Sequence, residues 1–168
     1  RCAKGNKVMK LEEEVVRRLL EKKLTLTTAE SCTGGLIGAA IVNVSGASGC
    51  FNEGYITYAN EAKVRLLGVK EESISKYGVV SDTVVKEMAE GALKSASADI
   101  AVAVSGIAGP LGGSPNKPVG TVFIGVCIRD KNTKALSCRA YEFHFQGDRT
   151  EIRHKTVQEA LKIILSAT

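Results

Sequence analysis

The sequence predicts an α/β protein, a three-layer α/β/α sandwich built on a mixed, mostly parallel sheet. Segments with helical hydrophobic spacing alternate with short β-rich segments along most of the 168 residues, and this alternation is typical of strands covered by helices. Residues 100–104 form a continuous apolar run, the pattern of a central strand buried on both faces. Two strand-like segments, residues 119–128 and 136–145, follow one another without a helix, so we expect a hairpin and a mixed sheet.

The elements of the N-terminal half follow from residue spacing. Charged residues separate apolar ones at helical intervals over residues 10–23, which predicts an amphipathic helix. Alternating Leu and Thr over residues 24–28 predict the first strand, and the apolar residues 36–44 predict a buried helix. A second strand is expected over residues 51–58. We expect the next helix to be capped by Asn60 and to turn three apolar side chains inward: Val64, Leu66 and Leu67.

Caps and turn residues mark the elements of the C-terminal half. A helix is expected to begin at Ser81 or Asp82, since either suits an N-cap. Residues 106–115 are too rich in Gly and Pro to form regular structure, and residues 130–133 suit the turn of the hairpin. A final helix is expected from about Thr150, with these residues on its buried side: Ile152, Val157, Ala160, Leu161, Ile164 and Leu165.

Composition limits the classes of function. With 44% hydrophobic and 24% charged residues, the chain suits one compact domain over residues 10–168. We expect residues 1–9 to be an N-terminal extension that ends at Met9, a natural start. Lys and Arg exceed Asp and Glu by 23 to 18, but they are scattered and Trp is absent, so nucleic-acid binding is not favoured. Without a signal peptide or a long apolar run, we expect a cytoplasmic protein with no membrane contact.

The five cysteines are odd in number and contain no CxxC pair: Cys2, Cys32, Cys50, Cys127 and Cys138. This pattern predicts neither a disulfide framework nor a structural zinc site. Cys127 lies in an apolar run and is expected to be a small core residue. Cys32 stands beside a serine and is a rival candidate for a nucleophile.

Residues 28–35, Thr-Ala-Glu-Ser-Cys-Thr-Gly-Gly, place Ser31 between the first strand and the following helix. The first amide N–H groups of a helix have no intrahelical partner, so they favour an anion or a developing oxyanion. A nucleophile and its oxyanion donors could therefore share this turn. The alternative is that Ser31 or Thr33 caps the helix while the glycines allow close packing.

A serine hydroxyl needs a base that accepts its proton. The two histidines, His144 and His154, are distant from Ser31 in sequence, and Lys63 in the first turn of a helix is the alternative. A lysine acts as a base when burial or neighbouring positive charge lowers its pKa, although most lysines are solvated surface residues. Tyr58 or Ser48 could relay a proton, or could serve packing and turn formation only.

Two basic residues stand four apart at the start of the last helix. Arg149 and Arg153 could hold a phosphate or carboxylate together with helix N–H groups, or could be solvated and paired with Asp148 or Glu151. The loop over residues 109–113 could also bring amide groups to a phosphate. Its spacing matches neither a Walker sequence nor a dinucleotide fingerprint.

Four motifs together resemble the CinA C-terminal domain family. They are Ala-Glu-Ser-Cys-Thr-Gly-Gly at 29–35, Tyr-Ala-Asn-Glu-Ala-Lys at 58–63, Ser-Gly-Ile-Ala-Gly-Pro with Gly-Gly at 105–113, and Gly-Asp-Arg at 147–149. The family includes stand-alone nicotinamide-nucleotide amidases, called PncC, and the chain looks like this form. The resemblance implies hydrolysis of nicotinamide mononucleotide to nicotinate mononucleotide and ammonia in pyridine nucleotide salvage, with no metal or cofactor.

The resemblance also implies roles for individual residues. Ser31 matches the nucleophile and Lys63 the general base, with Tyr58 and Ser48 as further catalytic candidates. The matching substrate-binding positions are Glu30, Cys32, Thr33, Gly34, Gly35, Ser105, Gly106, Gly109, Arg149 and Arg153. A small-molecule nucleotide substrate and a homodimer are expected, while residues 114–118 depart from the pattern. Two alternatives to this amidase remain: a binding or interaction domain with weak catalysis, and a hydrolase that uses Cys32.

Overall fold

The computed structural model describes residues 9–168, so of the expected extension over residues 1–9 only Met9 is described. This part of the chain contains the following elements in order: α1 (Leu11–Glu21), β1 (Leu26–Glu30), α2 (Leu36–Val42), a 3-10 turn (Ala47–Gly49), β2 (Phe51–Ile56), α3 (Asn60–Leu67), α4 (Glu71–Tyr77), α5 (Asp82–Ser95), β3 (Ile100–Gly106), β4 (Thr121–Arg129), β5 (Leu136–His144) and α6 (Arg149–Ser166). Within residues 9–168, none of the helices has the length and apolar character that crossing a membrane requires.

The five strands form one mixed sheet in the order β2-β1-β3-β4-β5. Strand β1 runs parallel to both β2 and β3, whereas β4 is antiparallel to β3 and to β5. Four of the five strands therefore point the same way, and the predicted hairpin joins β4 to β5. The predicted fold class is confirmed.

Helices cover both faces of the sheet. On β3, Ile100, Val102 and Val104 face a core shared with α1, α2 and α6, while Ala101 and Ala103 face a second core shared with α3 and α5. This alternation follows from the two-residue period of a strand. The small alanine side chains leave room for α5 to pack closely on the second face.

Side-chain caps set the start of two helices. The Ser81 hydroxyl accepts a hydrogen bond from the Val84 amide at 3.3 Å, so Ser81 rather than Asp82 is the N-cap of α5. At α6, the Asp148 carboxylate accepts from the Glu151 amide at 2.9 Å and the Glu151 carboxylate accepts from the Asp148 amide at 2.7 Å. This reciprocal capping box places Arg149 at the first position of the helix.

Two expectations about the middle of the chain are wrong. The residue before α3 is Ala59, so Asn60 begins the helix rather than capping it, and Leu66 is 39% exposed whereas Lys63 is fully buried. Helix α4 has no predicted counterpart. Its sequence carries little apolar periodicity, and the only residue of α4 that is buried is Ser73.

The cysteine prediction is also wrong in one respect. Cys127 and Cys138 form a disulfide between β4 and β5, where the register places them directly opposite with Cα atoms 4.1 Å apart. The number and spacing of the cysteines do not predict this disulfide, because it depends on the register of the hairpin. Cys32 and Cys50 are free and buried, whereas Cys2 lies outside the described residues.

Candidate active site

Three parallel strands end at the same edge of the sheet. The register pairs Glu30 of β1 with Ile56 of β2 and with Val104 of β3, so the residues that follow them lie side by side. Ligands bind at such carboxyl ends in many open α/β sheets. The structure thus brings Ser31, Tyr58 and Ser105 to one cavity, as the sequence predicts.

The Ser31 turn, residues 31–35, separates β1 from α2. The Ser31 amide donates to the Val104 carbonyl at 3.2 Å, and α2 begins only at Leu36. Gly34 and Gly35 have φ angles of +59° and +101°, which side chains other than glycine rarely adopt. Gly35 occupies the N-cap position, so neither Ser31 nor Thr33 is the cap of α2.

Glu30 satisfies the amide groups at the start of α2. Its carboxylate is 1% exposed and accepts hydrogen bonds from the Thr33 hydroxyl at 2.6 Å and from three amides: Gly35 at 3.0 Å, Ile37 at 3.0 Å and Gly38 at 2.8 Å. These helix amides are therefore not free for an oxyanion. Glu30 does not line the cavity, which corrects its expected place against the substrate.

Lys63 lies directly beside Ser31. Its Nζ is 3.0 Å from Ser31 Oγ, and it also donates to the carbonyl oxygens of Thr57 at 2.7 Å and Tyr58 at 3.3 Å. The side chain is fully buried. Burial disfavours the charged amine and lowers the pKa of Lys63 from its ordinary 10.5 to about 8. A substantial fraction of the amine is neutral near that pH.

The rival groups do not match this arrangement. Burial raises the pKa of the Cys32 thiol to about 11, which keeps it protonated at neutral pH and makes it a poor nucleophile. His144 is exposed on edge strand β5 and contacts Glu142, and His154 is exposed on α6. Neither histidine lines the cavity that contains Ser31.

The inner cavity has a volume of about 190 Å³. Its lining residues are Ser31, Cys32, Tyr58, Asn60, Lys63, Val79, Val80, Ser105, Gly106, Ala108 and Arg149. It adjoins an outer cavity of about 420 Å³, which the loop after β3 borders with Gly109, Leu111 and Lys117. The two cavities share a wall formed by Tyr58, Val79, Val80, Gly106, Ala108 and Arg149.

Arg149 connects the first turn of α6 to both sides of this cleft. Its guanidinium donates to the Gly109 carbonyl at 2.9 Å and to the Tyr58 hydroxyl at 3.2 Å. The Ser105 hydroxyl donates a hydrogen bond to the Val79 carbonyl at 2.9 Å, and this bond connects β3 to the segment before α5. These contacts link four separate parts of the chain around the cleft: the segment after β2, the segment before α5, β3 with its loop, and α6.

Several residues that line the cavities are not among the predicted site residues. Val79 and Val80 follow the unpredicted helix α4 and carry no local signal of a site. Lys117 belongs to the segment that departs from the family pattern. Its Nζ donates to the Tyr77 carbonyl at 2.8 Å, and Lys117 lines the outer cavity together with Arg149.

Two expected site residues lie elsewhere. Ser48 is exposed near the start of β2, beside the start of β1, whereas Ser31 follows the end of β1. Five residues at about 3.3 Å each separate these two edges of the sheet by about 16 Å, so Ser48 does not reach the cavity. Arg153 instead donates to the carbonyl oxygens of Cys32 at 2.9 Å and Thr33 at 3.1 Å.

The arrangement can support nucleophilic attack by a hydroxyl with an amine as the base. Within residues 9–168, the fold brings together no group of three or more His, Cys, Asp or Glu side chains that could hold a metal ion. Arg149 and Lys117 offer positive charge for an anionic part of a ligand.

Comparison with known proteins identifies the family. The model of the CinA C-terminal domain matches residues 8–168. A CinA-like protein of Chlorobaculum tepidum is 50% identical over 155 residues, 92% of this chain and 36% of that protein. A CinA-like protein of Thermotoga neapolitana is 50% identical over 153 residues, 91% of this chain and 36% of that protein. The chain thus spans just over a third of the length of these curated relatives.

Solved structures agree with this assignment. The competence/damage inducible protein CihA of Agrobacterium tumefaciens superposes with a TM-score of 0.84 at 39% identity, covering 95% of this chain and 96% of that chain. The competence damage-inducible protein A of Klebsiella pneumoniae has a TM-score of 0.86 at 37% identity, covering 93% of each chain. The chain therefore belongs to the CinA C-terminal domain family.

Proposed function

We propose that the protein is an amidohydrolase that converts nicotinamide mononucleotide to nicotinate mononucleotide and ammonia, a step in pyridine nucleotide salvage. The observation that supports this proposal is the 3.0 Å contact between Lys63 Nζ and Ser31 Oγ. Lys63 is fully buried and its pKa is lowered to about 8, so a neutral amine is available beside the hydroxyl. A base in contact with a nucleophile is what attack on an unreactive amide requires.

In the first step, Ser31 Oγ attacks the carboxamide carbon while Lys63 Nζ takes the hydroxyl proton. The new O–C bond forms as the carbonyl electron pair moves to oxygen, and the amide of Cys32 receives this oxyanion. Within the described residues, the amide N–H groups of Cys32 and Thr33 donate to no backbone carbonyl, and Cys32 lines the cavity. One good oxyanion donor contributes about 2.7–4 kcal/mol to transition-state stabilisation.

In the second step, protonated Lys63 gives its proton to the amide nitrogen as the C–N bond breaks. Ammonia leaves, and the acyl group remains as an ester on Ser31. Water then attacks the ester carbon while neutral Lys63 accepts a proton from it, and the nicotinate carboxylate is released. The proton that Lys63 holds returns to Ser31 Oγ, which restores the starting state.

The two adjoining cavities suit a substrate with a small amide end and an anionic far end. The carboxamide lies in the inner cavity near Ser31, and the aromatic ring lies against the apolar wall of Val79 and Val80. The phosphate lies in the outer cavity, where Arg149 and Lys117 supply two cations. Loss of either cation is expected to raise KM more than it lowers kcat, because these groups are distant from the bond that breaks.

The test is to incubate the purified protein with nicotinamide mononucleotide and to measure ammonia and nicotinate mononucleotide together. Ser31→Ala and Lys63→Met are expected to lose turnover. The matched controls are Ser45→Ala and Lys162→Met, which change an exposed serine and an exposed lysine and are expected to behave as wild type. Folding of each variant is checked by circular dichroism.

Two outcomes would contradict the proposal. Full activity in Ser31→Ala would exclude Ser31 as the nucleophile. Binding of the nucleotide by the wild type without release of ammonia would favour the alternative of a binding domain with little catalysis.

A further inference from the structure

A single guanidinium lies against the backbone of the Ser31 turn. Arg153, in the second turn of α6, donates from Nε to the Cys32 carbonyl at 2.9 Å and from Nη2 to the Thr33 carbonyl at 3.1 Å. The planar guanidinium fits two consecutive carbonyl groups because its donors are held in a rigid fork. Arg153 does not line either cavity of the cleft, so its contacts are with the turn and not with the space for a substrate.

The same turn is held from another side by an anion. The buried Glu30 carboxylate accepts from the Thr33 hydroxyl and from the amides of Gly35, Ile37 and Gly38. Arg153 thus binds two carbonyl oxygens of the turn, while Glu30 binds the Thr33 hydroxyl and the Gly35 amide of the turn together with two amides of α2. Hydrogen bonds to charged groups are stronger than those between neutral groups. The conformation of residues 31–35 is therefore stabilised by a carboxylate on one side and a guanidinium on the other.

These contacts constrain the amides of Cys32 and Thr33, which donate to no backbone carbonyl within residues 9–168. In a trans peptide unit the carbonyl and the N–H point in opposite directions. Holding the Cys32 carbonyl therefore directs the Thr33 N–H away from the guanidinium. The Cys32 N–H belongs to the preceding peptide unit, whose Ser31 carbonyl accepts from the Gly34 amide at 3.1 Å. Arg153 holds the two peptide units between these bonded groups, which limits rotation about the backbone bonds of Cys32 and Thr33. Cys32 is the residue after Ser31, the position from which nucleophile turns often supply an oxyanion donor.

We propose that Arg153 is a positioning residue for the oxyanion site: by holding the Cys32 and Thr33 carbonyls, it fixes the turn that the Gly34–Ser31 bond closes, and so keeps the amide of Cys32 aimed at the oxyanion. Arg153 therefore acts on kcat through the turn and does not bind the phosphate. This proposal rests on Ser31 as the nucleophile of the proposed function.

The test uses a fluorophosphonate instead of the nucleotide. Ser31 Oγ attacks phosphorus, the O–P bond forms, the P–F bond breaks, fluoride leaves, and Lys63 takes the hydroxyl proton. The phosphoryl oxygen occupies the oxyanion site, so the second-order labelling rate reports on that site without any carboxamide. The variants are Arg153→Ala and Arg153→Lys, with Arg17→Ala as the control because Arg17 forms an exposed pair with Glu21 on α1.

We expect Arg153→Ala to be labelled about 10- to 100-fold more slowly than wild type, since loss of one oxyanion donor costs up to about a thousandfold. Guanidinium at low, non-denaturing concentration is expected to restore part of the rate. Arg153→Lys keeps the charge without the fork and is expected to remain slow, while Arg17→Ala matches wild type. With nicotinamide mononucleotide as substrate, Arg153→Ala is expected to lower kcat with little change in KM.

Several outcomes would overturn the proposal. Wild-type labelling of a folded Arg153→Ala variant would show that the turn holds its conformation without the guanidinium. Full recovery in Arg153→Lys would assign the effect to charge alone, and a raised KM with unchanged kcat would return Arg153 to substrate binding. If Arg153→Ala does not fold, Arg153→Lys at wild-type rate decides against the proposal. A wild-type protein that is labelled at Ser31 but releases no ammonia refutes the proposed substrate only, whereas absence of labelling refutes both.

Discussion

Replacing Lys63 by Met removes the buried amine and keeps an unbranched side chain of similar length, so it isolates the contribution of one ionisable group. Because the pKa of Lys63 is lowered to about 8, the wild-type amine is mostly protonated at pH 6.5 and mostly neutral at pH 9. Only the neutral amine can accept the Ser31 proton. We therefore expect kcat/KM to rise about tenfold per pH unit and to level off above about pH 8, a total increase of about 30-fold from pH 6.5.

The assay is release of ammonia from nicotinamide mononucleotide at constant ionic strength. Measurements begin at pH 6.5, since a phosphate has its second pKa near 6 and its ionisation would otherwise contribute to the profile. The Lys63→Met variant is expected to retain only residual activity with no rise near pH 8. A flat wild-type profile, or a rise that begins near pH 10, would refute Lys63 as a base of lowered pKa.

The same pKa makes a second measurement possible without any substrate. Between pH 8 and 10.5 the amine binds a proton in the unfolded chain but not in the folded protein, so the free energy of unfolding rises with pH across this window. The difference between the ordinary pKa of 10.5 and the lowered pKa of about 8 corresponds to a total rise of about 3 kcal/mol, which is complete above pH 10.5. Urea unfolding of wild type and Lys63→Met at several pH values checks this, because the rise attributable to Lys63 is absent from the variant. Parallel stability curves would contradict it.

Further substitutions test other contacts. Glu30→Gln removes the charge that holds the start of α2 and is expected to lower the free energy of unfolding by about 1.5–3 kcal/mol in urea titrations; an unchanged midpoint would contradict this. Cys32→Ala keeps the backbone amide, so kcat is expected to persist, and its loss would favour the cysteine hydrolase. Ser48→Ala is expected to leave kcat/KM unchanged, because Ser48 lies at the opposite edge of the sheet. At Gly91 an added Cβ would lie 1.8 Å from the Leu67 carbonyl, so Gly91→Ala is expected to destabilise the α3–α5 contact by about 1–3 kcal/mol, measured as a lower thermal midpoint.

The sequence by itself determined the fold class and most of the helices and strands. Periodicity and caps are local properties, and they predicted the strands at residues 100–104 and 119–128, the hairpin that follows, and the start of α5 at Ser81 or Asp82. The four motifs were sufficient to identify the family, which the matched domain model confirms. Helix α4 was missed because it packs with almost no apolar residues of its own.

Only the tertiary structure decided which polar groups are buried and what they contact. Burial of Lys63 depends on elements distant in sequence, and nothing local distinguishes it from a solvated lysine. Glu30 and Arg153 were expected against the substrate, but they hold the Ser31 turn, because their partners are backbone groups that no residue pattern reveals. The Cys127–Cys138 disulfide required the register of β4 and β5, and the distance of Ser48 from the cavity required the parallel pairing of β1 and β2. Local sequence encodes secondary structure, whereas contacts between charged and polar groups depend on the packing of the whole chain.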